Sequence, residues 1–334
     1  MLKPIEGSWF EFQHTDAEGK YYIAALAGFT AQQWETKVRE AAEIGMRHLV
    51  LMNVAMLFKS FYDTPLLPRF GIACDDPIEA VLSAADRYGI KFYMPNDYFD
   101  DCTNHGRNIL DADTQRKRAQ CMEELVARYG HHPSFHGWYW PIEAYLKSGY
   151  SDVVLTYVNQ CSRIARSLTP DAPILIAPYG TGVVVADDHY VAQLDRLDVD
   201  IIAYQDEIGC LRHGVEDLPR FYEGLRIAHD KAQRAAFWSD IEIFTFEGNV
   251  GVSALLPAPF DRVRRQIEIA SDYADVILIY QFQGMMNKPG SQAFAGHPDS
   301  EILYTDYEKW LDKHFPNLPT AESCADAVTN LAAF

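Results

Sequence analysis

The chain has 334 residues, 48% of them hydrophobic and 23% charged, a balance that excludes disordered and fibrous classes and suits a single large core. Its formal net charge of −18 excludes a phosphate backbone as partner, because nucleic-acid binders gain affinity from clustered Lys and Arg. The start, Met1–Glu6, has no apolar leader core and no later run approaches the roughly 18 apolar residues of a membrane span, so a cytoplasmic protein without membrane contact is expected.

Cys74, Cys102, Cys121, Cys161, Cys210 and Cys324 are scattered, with neither zinc spacing nor disulfide density. Reduced thiols are expected, with no metal and no cofactor.

From Gly7 onward a short apolar run, a polar or aromatic stretch and an amphipathic helix repeat. The first run, Ser8–Phe12, passes through Gln13 and His14 to a helix predicted over Thr30–Ile44, with a threonine cap and Gly45 at its end. The second, His48–Asn53, leads to Pro77–Tyr88 before Gly89. The third, Lys91–Pro95, is followed by Asn96, Asp97 and Tyr98 and a helix over Thr114–Tyr129. The fourth, Phe135–Trp140, runs to Glu143 and a helix at Ser151–Ser167. The fifth, Ile174–Pro178, precedes Tyr179 and Asp188–Leu194; the sixth, Ile201–Tyr204, precedes Asp206, Glu207 and Asp217–Ala232. The seventh, Ala236–Ile241, leads through Glu242 to Pro259–Tyr273, and the eighth, Val276–Tyr280, through Gln281 and Gln283 to Asp306–Lys313.

Eight strand-then-helix units predict an α/β fold, a single (β/α)8 TIM barrel over residues 1–315, with 316–334 as a weakly ordered or helical tail. No Gly-rich turn follows the first strand, as a doubly wound nucleotide-binding sheet would require. The units share no consensus, which excludes a solenoid.

A barrel of this type works at the carboxyl ends of its strands. That filter demotes His131 and His132, which precede strand four. It promotes Glu143, beside Tyr139 and Trp140, whose flat faces could stack on sugar rings. On strand seven Asp240 and Glu242 are two apart and share a side, with Glu242 nearer the end and Trp238 on the same strand. Strand six offers Tyr204, Asp206 and Glu207; adjacent residues point oppositely, so Asp206 is taken as the inward acid because it shares its side with Tyr204. His14, Asn53, Asn96, Tyr98, Tyr179 and Gln281 complete a mouth of amides and aromatic faces suited to a polyhydroxylated ligand. Two such carboxyl groups suffice for glycoside hydrolysis, one protonating the leaving oxygen and the other attacking or activating water.

Trp34 with the helix ending at Gly45, Gly137–Glu143, Tyr204–Gly209, Trp238–Phe244, and Tyr280–Gln283 leading to Pro289 resemble the bacterial barrel family called domain of unknown function 4434, described with the glycosyl hydrolases. The resemblance implies a barrel acting on a small carbohydrate substrate. Carboxylates after strands four and seven also look like those of the retaining-glycosidase barrel superfamily, which implies Glu143 as acid/base and Glu242 as nucleophile. Here Ile142 stands before Glu143 where that superfamily has asparagine. Two alternatives stay open: a divalent-metal-dependent sugar isomerase, epimerase or lyase using Glu143, Asp206, Glu242 and His14, and a barrel that binds carbohydrate without catalysis. A homo-oligomer is compatible with all three readings.

Overall fold

The computed structural model describes residues 1–14, 23–96, 109–147 and 149–318. Eight parallel strands close into a barrel: β1 (Gly7–Phe10), β2 (His48–Leu51), β3 (Lys91–Pro95), β4 (Phe135–Trp140), β5 (Ile174–Ile176), β6 (Ile201–Gln205), β7 (Ala236–Glu242) and β8 (Val276–Tyr280). Each pairs with its successor in sequence, and β8 returns to β1. Around them lie α1 (Ala31–Glu43), α2 (Pro77–Tyr88), α3 (Ala112–Tyr129), α4 (Asp152–Leu168), α5 (Asp188–Arg196), α6 (Leu218–Ala232), α7 (Phe260–Tyr273) and α8 (Ser300–His314).

Local chemistry sets these limits. Thr30 caps α1 in a reciprocal pair with Gln33, and Asp111, Ser151 and Asp187 each accept an N–H in the first turn of α3, α4 and α5. Helix α2 opens on Asp76-Pro77 and stops at Gly89, where φ is +67° and glycine is the residue that adopts this backbone without strain. Helix α8 begins at Ser300 rather than Asp306, because Leu303, Tyr304 and Tyr307 are buried and extend its apolar stripe toward the amino end. Residue Leu318 packs over Gly45; the rest of the predicted tail, 319–334, lies outside the described residues.

Strand periodicity divides the core into two layers. Trp9, Val50, Tyr93, Tyr139, Leu175, Ala203, Trp238 and Leu278 fill the lumen. Their neighbours Phe10, Leu49, Phe92, Trp138, Trp140, Ile202, Tyr204, Phe237 and Ile241 face outward and pack beneath the helices.

The seam between β1 and β8 is short, with register partners Gly7–Leu278 and Ser8–Ile279. Side chains reinforce it. The Ser8 hydroxyl accepts the Phe282 N–H at 2.8 Å. Gln283 Oε1 accepts the Glu11 N–H at 2.9 Å while its Nε2 donates to the Glu11 carbonyl at 2.8 Å.

Of the six cysteines, Cys74, Cys121, Cys161 and Cys210 are described, and none is in a disulfide. His132 sits in the outer layer between Asp86 and Glu79, at 2.6 and 3.1 Å. No helix among the described residues is long and apolar enough to cross a membrane.

Candidate active site

A pocket of about 340 Å³ opens among the carboxyl ends of the strands, within the size range of small-molecule sites. Trp9 comes from β1, Met52 from just beyond β2, and Tyr139 and Glu143 from β4 and its following loop. Gln205 and Cys210 follow from β6 and its loop, Asp240 and Glu242 from β7, and Tyr280 from β8. After β7 an antiparallel hairpin, Phe244–Phe246 with Leu255–Pro257, adds Phe244, Phe246 and Leu255 as an apolar wall. A larger cavity of about 530 Å³ lies between α1 and residues 288–292 and is lined by no strand-end residue.

Glu242 is fixed from several directions. Its Oε2 accepts the Cys210 N–H at 2.7 Å. That approach depends on Gly209, where a Cβ would lie 2.8 Å from the Phe244 carbonyl oxygen and 2.9 Å from Glu242 Cβ. Behind the wall, the Glu242 N–H donates to Asp206 Oδ1 at 3.0 Å. Arg262 donates to the carbonyls of Glu242 and Phe244 at 2.9 and 2.6 Å. Burial, and next the nearby Asp206 charge, raise the Glu242 pKa well above the carboxylate range.

One pleat deeper, Asp240 is 2% exposed and its Oδ1 has no hydrogen-bond partner. Burial holds its carboxyl far toward the neutral form. Trp9 is equally buried, lies edge-on to Tyr139 at a ring separation of 4.8 Å, and leaves its indole nitrogen without a partner. The indole lies near enough to lower the Asp240 pKa, but the pair does not meet hydrogen-bond geometry, so both atoms keep a free bonding direction.

Glu143 contrasts with these groups: it is exposed at the pocket opening. Across the mouth, Glu11 is buried and accepts Gln281 Nε2 at 2.5 Å through Oε1, while its Oε2 meets His14 Nδ1 at 3.1 Å. The Tyr280 hydroxyl reaches the same imidazole nitrogen at 3.0 Å. The Tyr280–Gln281 peptide is cis.

Among the residues proposed from sequence, His14, Tyr139, Glu143 and Glu242 line this pocket. Gln281 lines an adjoining cavity of about 340 Å³ that shares His14 and Leu255 with the first. Tyr179 stacks on Tyr145 at 5.0 Å, close enough to Glu143 for that acid to raise its pKa, although burial is the larger cause. Asn53 is buried with its Oδ1 unpartnered, and it does not line the pocket. Tyr98 lies outside the described residues.

Several expectations need correction, and strand parity is the main reason. Tyr204 and Asp206 do share a side, but it is the outer one. Tyr204 bonds the Tyr190 hydroxyl at 2.7 Å and His229 Nε2 at 2.8 Å, and Asp206 accepts Gln266 Nε2 at 2.6 Å from α7; Gln205 is the residue that reaches the pocket. Trp140 likewise points outward, donating to the Ser162 hydroxyl on α4 at 3.1 Å. Asn96 turns to Tyr157 on the same helix, at 3.4 Å. Trp238 faces inward but sits low in the lumen, edge-on to His48 at 4.9 Å and away from the carboxyl ends of the strands. Glu207 is spent on its neighbours: Oε2 accepts the N–H groups of Gly180 and Thr181 at 2.9 and 3.0 Å, and Arg212 lies 3.2 Å from Oε1.

The metal set His14, Glu143, Asp206 and Glu242 is not gathered at coordinating distances. Among the described residues, the grouping with such spacing is Glu79, His131 and His132 in the outer layer.

Sequence reasoning passed over Trp9, Glu11, Gln205 and Cys210, and ranked Asp240 below Glu242. Parity puts Asp240 on the side of Glu242, and the structure adds that this deeper acid also lines the pocket. Trp9 carried no such signal, because Trp9 and its outward neighbour Phe10 are both apolar.

The model of the family described as domain of unknown function DUF4434 matches residues 5–293. The chain belongs to that family. No curated protein is matched by the sequence. Its structure is similar to that of a Bacteroides thetaiotaomicron protein named "putative alpha-L-fucosidase", with a TM-score of 0.74 at 18% identity over 93% of this chain and 94% of that one. It is also similar to a Dictyoglomus thermophilum beta-D-glucuronidase, with a TM-score of 0.55 at 16% identity over 96% of this chain and 51% of that one. An Eisenbergiella tayi GH2 beta-galacturonidase gives a TM-score of 0.57 at 14% identity over 92% of this chain and 51% of that one. The chain thus spans about half the length of the latter two. At these identities the likeness shows the shared barrel.

Proposed function

We propose that this DUF4434 protein is a glycoside hydrolase acting on small oligosaccharides or glycosides by a retaining, two-carboxylate mechanism. The observation that carries the reading is that Glu143, after β4, and Glu242, at the end of β7, line one pocket whose other walls include Trp9, Tyr139, Phe244 and Tyr280. Aromatic faces suit the apolar faces of a sugar ring, and two carboxyl groups supply the proton and the nucleophile.

Glu143, exposed at the opening, acts as acid/base, because the leaving group departs and water enters on that side. Glu242, in its ionised form, acts as nucleophile: the Cys210 N–H and the Asp206 and Arg262 contacts hold it in one place, as attack at a defined carbon requires. The glycosidase names of the structural neighbours agree with this reading.

The test is turnover of a panel of nitrophenyl glycosides by wild type, Glu143→Gln and Glu242→Gln. Each variant should lose about 10²–10⁴ in kcat/KM on a responsive substrate. Near-wild-type rates in both variants would reject the assignment, and an inverted anomer in the first-formed product would reject retention.

A further inference from the structure

The pocket floor carries two buried polar atoms that the protein leaves unpartnered, Trp9 Nε1 and Asp240 Oδ1, on residues that are each 2% exposed. An unpaired buried polar group costs free energy unless a ligand or water completes it. The two differ in kind. An indole nitrogen can only donate, whereas a carboxyl oxygen can accept. One hydroxyl group can satisfy both at once, accepting from Trp9 with a lone pair and donating its proton to Asp240.

Charge narrows the ligand further. Among the described residues, no lysine or arginine lines this pocket, while Glu143, Asp240 and Glu242 do. A carboxylate brought here would surrender its hydration without meeting a cation. The floor is closed beneath by lumen side chains such as Val50, Tyr93 and Trp238, so a sugar entering from the mouth meets the pair with its innermost hydroxyl.

Resting on the glycosidase reading above, we infer that Trp9 and Asp240 form a hydroxyl-reading floor that selects an uncharged terminal sugar and discriminates against hexuronic acids. Burial keeps Asp240 toward its neutral form, so recognition is by hydrogen bonding rather than by net charge. Trp9 and Asp240 are thereby substrate-contacting residues with no part in bond cleavage.

The experiment is saturation-transfer NMR titration with methyl glycosides of several neutral hexoses and of the matching hexuronates, on wild type, Trp9→Phe, Asp240→Asn and Asp240→Ala. Trp9→Phe keeps a ring against Tyr139 and removes the donor. At least one neutral glycoside should bind, its hexuronate should bind about tenfold or more weakly, and Trp9→Phe should weaken the neutral one about five- to tenfold. Asp240→Asn, which still donates and accepts, should stay within about threefold of wild type, whereas Asp240→Ala should match or exceed the Trp9→Phe loss. Equal or tighter binding of the hexuronate, or unchanged binding by Trp9→Phe, overturns the inference.

Turnover of the corresponding nitrophenyl glycosides is scored separately. Binding of neutral sugars with no hydrolysis of any glycoside leaves the floor assignment standing and rejects the glycosidase reading. Hydrolysis confined to hexuronides does the reverse.

Discussion

Asp206 accepts the backbone N–H of Glu242 at 3.0 Å, although their side chains leave opposite faces of the barrel wall. The same carboxylate takes the Ile208 N–H at 3.2 Å and Gln266 Nε2 at 2.6 Å. An acid hidden under α7 therefore fixes the strand end that carries Glu242, and its charge also disfavours ionisation of Glu242.

Asp206→Asn tests that coupling. Gln266 Oε1 has no partner, so a flipped Gln266 amide can meet the new NH2 group, giving up only its longer 3.2 Å bond to the Glu242 carbonyl, and the fold should persist. Removing the charge should move the acidic limb of kcat/KM down by about one pH unit, because Glu242 would lose its proton more readily. The measurement is a pH–rate profile on a responsive aryl glycoside, and an unmoved limb would contradict the coupling.

Stability should fall with rising pH. Glu242 has an ordinary value of 4.5 and is pushed up to about 8 in the folded protein by burial and by Asp206. Between those values the folded chain holds a proton that the unfolded chain has released, so the stabilising contribution is complete below about pH 4.5 and is lost as pH rises through about 8. The slope is at most about 1.4 kcal/mol per pH unit for one group. Melting temperatures of wild type and Glu242→Gln from pH 5 to 8.5 should diverge in favour of the variant as pH rises; parallel curves would contradict the shift.

Gly209→Ala should damage activity more than stability. The added methyl would press on the Phe244 carbonyl and on Glu242 Cβ, moving the Cys210 N–H off the carboxylate. A displacement near 1 Å can cost about 10²-fold in rate. Kinetics compared with a urea melt separate the two effects, and a wild-type kcat/KM would show that the Cys210 contact is dispensable.

Tyr204→Phe should do the opposite. It removes the hydroxyl between Tyr190 and His229, and leaving buried partners unsatisfied costs about 1–3 kcal/mol. Because Tyr204 faces the helices, kcat/KM should stay within about twofold of wild type. A large kinetic loss at unchanged stability would return Tyr204 to the site.

The barrel itself was legible because its strands alternate with capped amphipathic helices. Asp76-Pro77 and Gly89 mark α2 in sequence as clearly as in structure. Depth and facing were much less legible. A strand buried on both sides is apolar on both sides, so nothing in Ile201–Tyr204 says which parity faces the lumen, and the choice of Asp206 over Glu207 as the inward acid followed from that silence. On β7 the acids themselves break the apolar run, and there the shared side of Asp240 and Glu242 could be read directly. Trp238 failed for another reason: its parity is inward, but it sits near the start of the strand, where the lumen is packed. The Glu11, His14 and Gln281 cluster joins positions whose bonded pairs lie up to 270 apart in sequence, a link that no local pattern can reveal.

The β1–β8 seam, with its short ladder and its Ser8, Glu11 and Gln283 clasps, bears on how the protein comes into being. Glu11 is synthesised 270 residues before its partner Gln281, and Ser8 likewise precedes Phe282. Contacts so distant along the chain close late and slowly. The pocket wall is thus complete only once β8 has been made, and a chain truncated before Gln283 would carry Glu143 and Glu242 without the clasp that closes the wall around them.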